Sequence, residues 1–240
     1  MTKLLALTLL FSSLYAHAEF AQIQDPDGST NLRDKPNAQS KVVSKIPSGT
    51  YVYTPTDDSD DYTKGEWRTV YDVRGDKSGW VHQSRLLPLQ NYPAIPVKAE
   101  KNGYSCLKNG MGVRVEMGKF DFAAHKQEFT RRKDGFLSHY RGKPMFGTDG
   151  TQPSTQFTQI NFVRNGKTMV VPKAQYEFLF NPYFDTPRDA ERLTACHYRT
   201  ADDTLFLNTV IGDGTAYTEV LFVFQQGSLK TVLASLHPAV

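Results

Sequence analysis

Five short motifs between residues 20 and 87 restrict the fold of this chain more than any other feature of its sequence. They combine β-branched and aromatic residues, which favour strands, with Pro and Gly, which favour turns. Their spacing predicts short antiparallel strands joined by turns. In chain order the motifs are Asn31-Leu32-Arg33-Asp34-Lys35-Pro36, Ser40-Lys41-Val42-Val43, Ile46-Pro47-Ser48-Gly49-Thr50, Glu66-Trp67-Arg68-Thr69-Val70 and Gly79-Trp80-Val81-His82.

The order and spacing of these motifs resemble those of the bacterial SH3-type (SH3b) domain. That family has an Asn-aliphatic-Arg segment followed by Pro, then an aliphatic-x-x-x-aliphatic step into Gly. A Trp-x-x-Val strand and a Gly-Trp-Val strand follow, and five separated motifs in the right order make the match specific. The resemblance implies a small SH3-like barrel over residues 19–88, in which Trp67 and Trp80 are mostly structural.

The tyrosines of this stretch have two interpretations, because aromatic side chains on a small barrel either fill its core or line a binding groove. In the second interpretation, tyrosine rings face solvent and polar side chains at the rim form hydrogen bonds with a peptide. The candidate ligand-binding residues are Arg33, Asp34, Tyr51, Tyr62, Tyr71 and His82.

The rest of the chain predicts a second antiparallel β-rich domain over residues 97–240, with one short helix. Met111–Met117 alternates apolar and polar residues as a half-buried strand does, and Asn165-Gly166 is a strong hairpin signal. The helix is predicted at Thr186–Arg192, with Thr as N-cap and Pro at the first helical position. The Pro-rich residues 89–96 predict a stiff linker between the two domains. The predicted fold class is therefore mainly all-β. Further strands are predicted at Gly103–Leu107, Thr218–Phe224 and Leu229–Leu233.

Residues 1–18 have the pattern of a Sec-type signal peptide. A single cation, Lys3, precedes the apolar run Leu4–Tyr15, and Ala16-His17-Ala18 is a small-x-small cleavage site. The run is too short to span a bilayer, which needs roughly 20 residues. We therefore expect cleavage near Ala18, a periplasmic protein, and no transmembrane segment after the signal is removed.

The chain has two cysteines, Cys106 and Cys196. Export to an oxidising compartment favours a disulfide between them. The alternative is a catalytic thiol, which needs a helix N-terminus and a nearby His. Neither cysteine has that context, since Cys106 precedes a turn and His197, next to Cys196 on a strand, points to the opposite face.

Other chemistry is not indicated by the sequence. The formal net charge is +3 and the basic residues are spread along the chain, so we expect no nucleic-acid partner. His125 and His139 belong to no metal-ligand motif, and no nucleophile elbow, Walker loop or dinucleotide fingerprint is found. We therefore predict no metal, no cofactor and no enzymatic activity.

Two functional hypotheses remain. The first is an exported binding protein, whose SH3-like domain engages a cell-wall peptide or a periplasmic protein. The second is a periplasmic inhibitor or immunity protein that blocks a toxin or a lytic enzyme. A gene for a secreted toxin beside this one would favour the second hypothesis.

Overall fold

The computed structural model describes residues 19–55, 61–72, 77–182 and 187–236, so the predicted signal peptide lies outside the described residues. The chain is mainly β, with several antiparallel sheets, as predicted. The first strands are β1 (Glu19–Ile23), β2 (Ser29–Arg33), β3 (Val42–Pro47), β4 (Tyr51–Thr54), β5 (Thr63–Lys64), β6 (Trp67–Asp72), β7 (Lys77–His82) and β8 (Leu86–Pro88). They are followed by β9 (Ala94–Ile95), β10 (Val97–Glu100), β11 (Gly103–Lys108), β12 (Met111–Lys119), α1 (Phe122–His125), β13 (Phe129–Arg131), β14 (Leu137–Tyr140) and β15 (Lys143–Pro144). The last elements are β16 (Thr155–Arg164), β17 (Lys167–Val170), α2 (Pro187–Leu193), β18 (Thr194–Arg199), β19 (Thr204–Ile211), β20 (Thr218–Gln225) and β21 (Ser228–Leu236).

Strands β1 to β8 form the N-terminal sheet, in the order β3-β2-β7-β6-β4-β1-β8, with β5 paired to β6. Side chains along each strand point alternately to the two faces of the sheet, so that residues such as Leu32 on β2 and Val81 on β7 point to one buried side. A core of small and branched aliphatic side chains results. Its buried members are Ala21, Ile23, Leu32, Ile46, Val52, Val70 and Val81.

Two five-stranded sheets form the main core of the remaining chain. The middle sheet has the order β10-β11-β12-β16-β17, and the C-terminal sheet has the order β21-β20-β19-β18-β9. Phe222 and Phe224 of β20 belong to the core shared with Phe157 and Phe162 of β16. A smaller three-stranded sheet, β13-β14-β15, packs around an aromatic cluster centred on Phe120, Tyr140 and Phe180.

The C-terminal sheet is covered on both faces. Successive residues of a strand point to opposite sides, and Leu221 and Val223 of β20 lie in a separate cluster with Phe20 and Tyr53 of the N-terminal sheet. All residues from Thr218 to Phe224 are buried. The N-terminal, C-terminal and middle sheets are therefore stacked in that order, with the C-terminal sheet between the other two.

Residues 89–96 do not form the stiff, extended linker that the sequence predicts. They contain a 3-10 turn at Leu89–Asn91 and strand β9, which pairs with β18, and both Leu89 and Ile95 are buried. A segment with buried apolar side chains and a paired backbone is fixed to its neighbours. This segment is therefore part of the packed structure instead of a spacer that separates two bodies.

The cysteines lie where the chain passes between two sheets. Ile95 of β9 pairs with Cys196 of β18, and Val97 of β10 pairs with Cys106 of β11. The two cysteine sulfurs are at disulfide distance, and their Cα atoms are 6.3 Å apart, within the range that a disulfide requires. The predicted pairing of Cys106 with Cys196 thus agrees with the structure, and it would join the C-terminal sheet to the middle sheet.

The predicted short helix also agrees with the structure. Helix α2 begins at Pro187, the residue that we placed at the first helical position, and ends at Leu193. Its predicted N-cap, Thr186, lies outside the described residues.

Candidate functional site

An open cleft of about 360 Å³ lies on the N-terminal sheet. The turn between β1 and β2, most of strand β2, and the paired ends of β6 and β7 form its walls. Side chains of both charge signs and one indole ring therefore face the same small volume. The lining residues are Asp25, Asp27, Ser29, Thr30, Asn31, Arg33, Ala38, Trp67, His82, Ser84 and Arg85.

Two rings form the apolar part of the cleft. Trp67 on β6 pairs directly with His82 on β7, and their ring centroids are 5.4 Å apart with an interplanar angle of 88°. Both residues are half-buried, so each presents part of its ring to solvent. A partly exposed indole beside an imidazole gives a flat surface against which a ligand can stack.

The imidazole is held in place by polar contacts on both sides. Its Nε2 lies 3.2 Å from a carboxylate oxygen of Glu66, and its Nδ1 lies 2.8 Å from Ser84 Oγ. The backbone N–H of Ser84 also donates to Nδ1, at 3.3 Å, which caps the short 3-10 turn that follows β7. The ring of His82 is therefore oriented before any ligand arrives, which lowers the entropic cost of binding.

The charges of the cleft are partly fixed by local contacts. Arg33 Nη1 donates a hydrogen bond to the carbonyl of Ser40, at 2.6 Å. Arg85 Nε lies 3.4 Å from a carboxylate oxygen of Asp25, whose side chain is largely buried. Asp27 is exposed, and its backbone N–H donates to Asp25 Oδ1 at 3.0 Å. The cleft thus presents a positive and a negative group to a ligand.

The structure brings together two of the six predicted ligand-binding residues, Arg33 and His82. Asp34 is exposed beside Arg33 but lies outside the cleft, and its backbone N–H donates to the carbonyl of Lys41 at 3.1 Å. Tyr62 is half-buried near β5, and its carbonyl accepts a hydrogen bond from Thr69 N at 2.9 Å. Neither residue lines the cleft.

Tyr51 and Tyr71 do not line a solvent-facing groove of the kind that the sequence predicts. Both pack against the cluster formed by the N-terminal and C-terminal sheets. The ring centroid of Tyr51 is 5.8 Å from that of Phe206, and Tyr71 contacts Tyr53 at 6.0 Å. Burial raises the pKa of both phenols. Phe206 of the C-terminal sheet packs on the Tyr51 ring, and a local sequence pattern does not reveal such a partner.

Several residues of the cleft were missed by sequence reasoning. Trp67 was assigned a structural role, and Asp25, Asp27 and Arg85 were not singled out. The turn Asp25-Pro26-Asp27-Gly28 was a usable signal, because polar turns beside a sheet end often carry binding residues.

A second open cleft, of about 430 Å³, lies beside the β10–β11 turn. It is lined by Glu100, Lys101, Asn102, Tyr104, Arg114, Val115 and Glu116. Its only aromatic residue, Tyr104, is fully buried, so it offers no exposed ring for stacking. The cleft at Trp67 and His82 is therefore the better candidate.

Within the described ranges, no group of three or more His, Cys, Asp or Glu side chains is placed to hold a metal ion. Neither cysteine in that part of the chain is free, so the thiol interpretation of Cys106 and Cys196 has no support in the geometry. None of the helices in those same ranges has the length and apolar character needed to cross a bilayer.

Comparison with known proteins does not extend these observations: no family model, characterised protein or solved structure matches the chain.

Proposed function

We propose that this chain is an exported, periplasmic binding protein whose N-terminal sheet is an SH3b-type barrel that engages a cell-wall peptide. The binding site is the cleft at Trp67 and His82. Two features support the proposal: the motifs of residues 20–87 resemble those of that family, and a cleft with suitable chemistry lies on the sheet that those residues form.

The observation that carries the proposal is the partly exposed Trp67–His82 pair with charges of both signs around it. A short peptide offers amide planes and apolar side chains that stack on flat rings, and it also carries amino and carboxylate groups. Arg33 is placed to pair with a carboxylate and Asp27 with an amine. We propose binding rather than catalysis because the imidazole of His82 is already engaged at both nitrogens.

Soluble muropeptides from a peptidoglycan digest provide the direct test, with affinity measured by calorimetry. We expect Arg33→Gln to weaken binding about tenfold or more, because a charge-assisted hydrogen bond contributes roughly 1.5–3 kcal/mol. We expect His82→Ala to weaken it severalfold, because the variant removes a ring on which the ligand stacks, a contact of about 0.5–1.5 kcal/mol. Arg68→Gln is the matched control. Arg68 lies on β6 of the same sheet, its Nη1 contacts the carbonyl of Gly65 at 2.7 Å, and it does not line the cleft.

Equal affinity of the wild type and both cleft variants would refute the assignment of the site. If the wild type bound no muropeptide, the cell-wall ligand itself would be wrong. Capture of a periplasmic protein that depends on His82 and Arg33 would then indicate a protein partner for the same cleft.

A further inference from the structure

The contact between the N-terminal and C-terminal sheets is aromatic and closed to solvent. Phe20 and Tyr53 on one side meet Phe206, Leu221 and Val223 on the other, and all five are buried. Tyr51, Tyr71 and Tyr92 pack at its edge.

A carboxyl group lies on the buried face that makes this contact. Glu219 on β20 is only 1% exposed and points to the same side as Leu221 and Val223, two and four residues further along the strand. Its polar partners are hydrogen-bond donors: Tyr217 Oη donates to Oε1 at 2.7 Å, and Asn208 of β19 provides a second bond. An ionised carboxylate in such a place is costly, because two neutral donors do not replace its hydration.

Two neighbouring polar atoms in the described part of the chain have no hydrogen-bond partner. Among the described residues, Tyr53 Oη and Asn208 Oδ1 are both buried without a hydrogen-bond partner. A protonated carboxyl carries one O–H donor, whereas a carboxylate carries none. Protonation of Glu219 therefore removes its charge and also adds an O–H donor beside Asn208 Oδ1, an acceptor that has no partner in the described ranges.

The groups that face Glu219 do not offset its charge. Tyr217 directly precedes β20. Tyr53 of β4 faces Glu219 from the N-terminal sheet, and Tyr71 of β6 and Tyr62 lie around Tyr53. Burial raises the pKa of Tyr53, Tyr71 and Tyr217, which keeps these phenols neutral. Burial likewise raises the pKa of Glu219, from an ordinary value of 4.5 to about 7.

We propose that proton release from Glu219 opens the contact between the N-terminal and C-terminal sheets. In the closed form the carboxyl is neutral and the aromatic faces are joined. In the open form the carboxylate reaches water, and the rings of Tyr51, Tyr71 and Phe206 are exposed. The cleft at Trp67 and His82 is a separate part of the N-terminal sheet, so the proposal does not depend on its ligand.

The sign of the pH effect follows from linkage. The folded, closed form holds the proton of Glu219 more tightly than the unfolded chain, so stability is highest below the unfolded pKa and falls as the pH rises toward 7. A pKa rise from 4.5 to about 7 makes the unfolding equilibrium constant on the order of 100-fold larger at pH 8.5 than at pH 5. Glu219→Gln keeps the shape of the side chain and provides a hydrogen-bond donor, but it cannot ionise. The unfolding equilibrium constant of this variant should therefore lack the increase between pH 5 and pH 8.5.

The first measurement is urea unfolding of the purified protein at pH 5 and pH 8.5, for the wild type, Glu219→Gln and Glu116→Gln. Glu116 is an exposed carboxyl on β12 and controls for the chemical change itself. We expect the wild type and Glu116→Gln to share the pH dependence, and Glu219→Gln to lack most of it. If Glu219→Gln does not fold, Tyr217→Phe serves instead. This variant removes the Tyr217 donor to the carboxylate, so the pH at which half of the pH-dependent stability is lost should be higher than in the wild type.

The second measurement asks whether the contact itself opens. Pulsed hydroxyl-radical footprinting with mass spectrometry reports the exposure of the Tyr51, Tyr71 and Phe206 side chains. We expect their oxidation to increase severalfold at pH 8.5 relative to pH 5 in the wild type and to stay constant in Glu219→Gln. Equal oxidation in both proteins at both pH values would overturn the proposal, as would a pH dependence of stability that Glu219→Gln retains in full.

Discussion

Removal of the Cys106–Cys196 link should destabilise the part of the chain that contains the middle and C-terminal sheets. The two residues are 90 positions apart. The chain-entropy relation for a loop of that length gives about 15 cal/mol/K, or about 4–5 kcal/mol at 25 °C, of which measured values often reach only part. Both cysteines belong to the main core, so replacement by alanine adds a smaller packing loss.

Unfolding of the N-terminal sheet can be followed separately from unfolding of the whole chain. Its two tryptophans are Trp67 and Trp80, so tryptophan fluorescence reports the N-terminal sheet. Circular dichroism reports the whole fold. We expect urea unfolding of Cys106→Ala/Cys196→Ala to show a free energy of unfolding lower by about 2–5 kcal/mol. The fluorescence transition should also move to lower urea, because the buried cluster that contains Phe20 and Phe206 couples the N-terminal sheet to the rest.

The single variants supply the control. If a bond joins the sulfurs, Cys106→Ala and Cys196→Ala each break it, and each should cost nearly as much as the double variant. If the cysteines were two independent buried residues, their costs would add. Intact mass spectrometry with thiol alkylation gives the direct answer. Two alkylated thiols in unreduced protein, or additive losses in the variants, would refute the reasoning.

Two further substitutions test other contacts. Gly79→Ala should destabilise the N-terminal sheet by about 1–3 kcal/mol, because a Cβ at this position would lie 2.5 Å from the backbone oxygen of Arg33. Urea unfolding followed by tryptophan fluorescence checks this, with the exposed Ser78→Ala as control, and equal stability of both variants would contradict it. Arg199→Lys should cost about 1–3 kcal/mol by the same assay. The Arg199 guanidinium donates to Gln22 at 2.8 Å and lies over the ring of Phe206 at 5.1 Å. An unchanged stability would show that this contact is not a significant link between the sheets.

Much of the fold could be predicted from local sequence patterns. The strand predicted at Thr218–Phe224 ends one residue short of β20, and that predicted at Met111–Met117 ends two residues short of β12. Alternation and hairpin signals such as Asn165-Gly166 are carried by neighbouring residues, which is why they were sufficient here. Asn165 has a φ of 49° and Gly166 a φ of 75°, the left-handed conformations that such a turn requires.

The faces of the sheets could not be assigned in the same way. The alternation of side chains along β4 is the same whether Tyr51 lines an open groove or packs against another sheet. What decides is Phe206, which lies more than 150 positions further along the chain and approaches Tyr51 only in the folded protein. The position of Glu219 had a usable signal, because the unbroken apolar run Val220–Phe224 is typical of a strand buried on both faces. A carboxyl at the end of such a strand has no solvent-facing side.

The burial of both faces of β20 links the pH-sensitive contact at Glu219 to the disulfide between Cys106 and Cys196. A strand that packs on the middle sheet with one face and on the N-terminal sheet with the other couples those layers through one backbone. Titration of Glu219 acts on the N-terminal face alone, whereas Cys106 and Cys196 lie in the core on the opposite side of the C-terminal sheet. A change of pH and the loss of the disulfide are therefore expected to act at different layers. Because the layers share β20, we expect reduction to enlarge the effect of pH on the exposure of Tyr51.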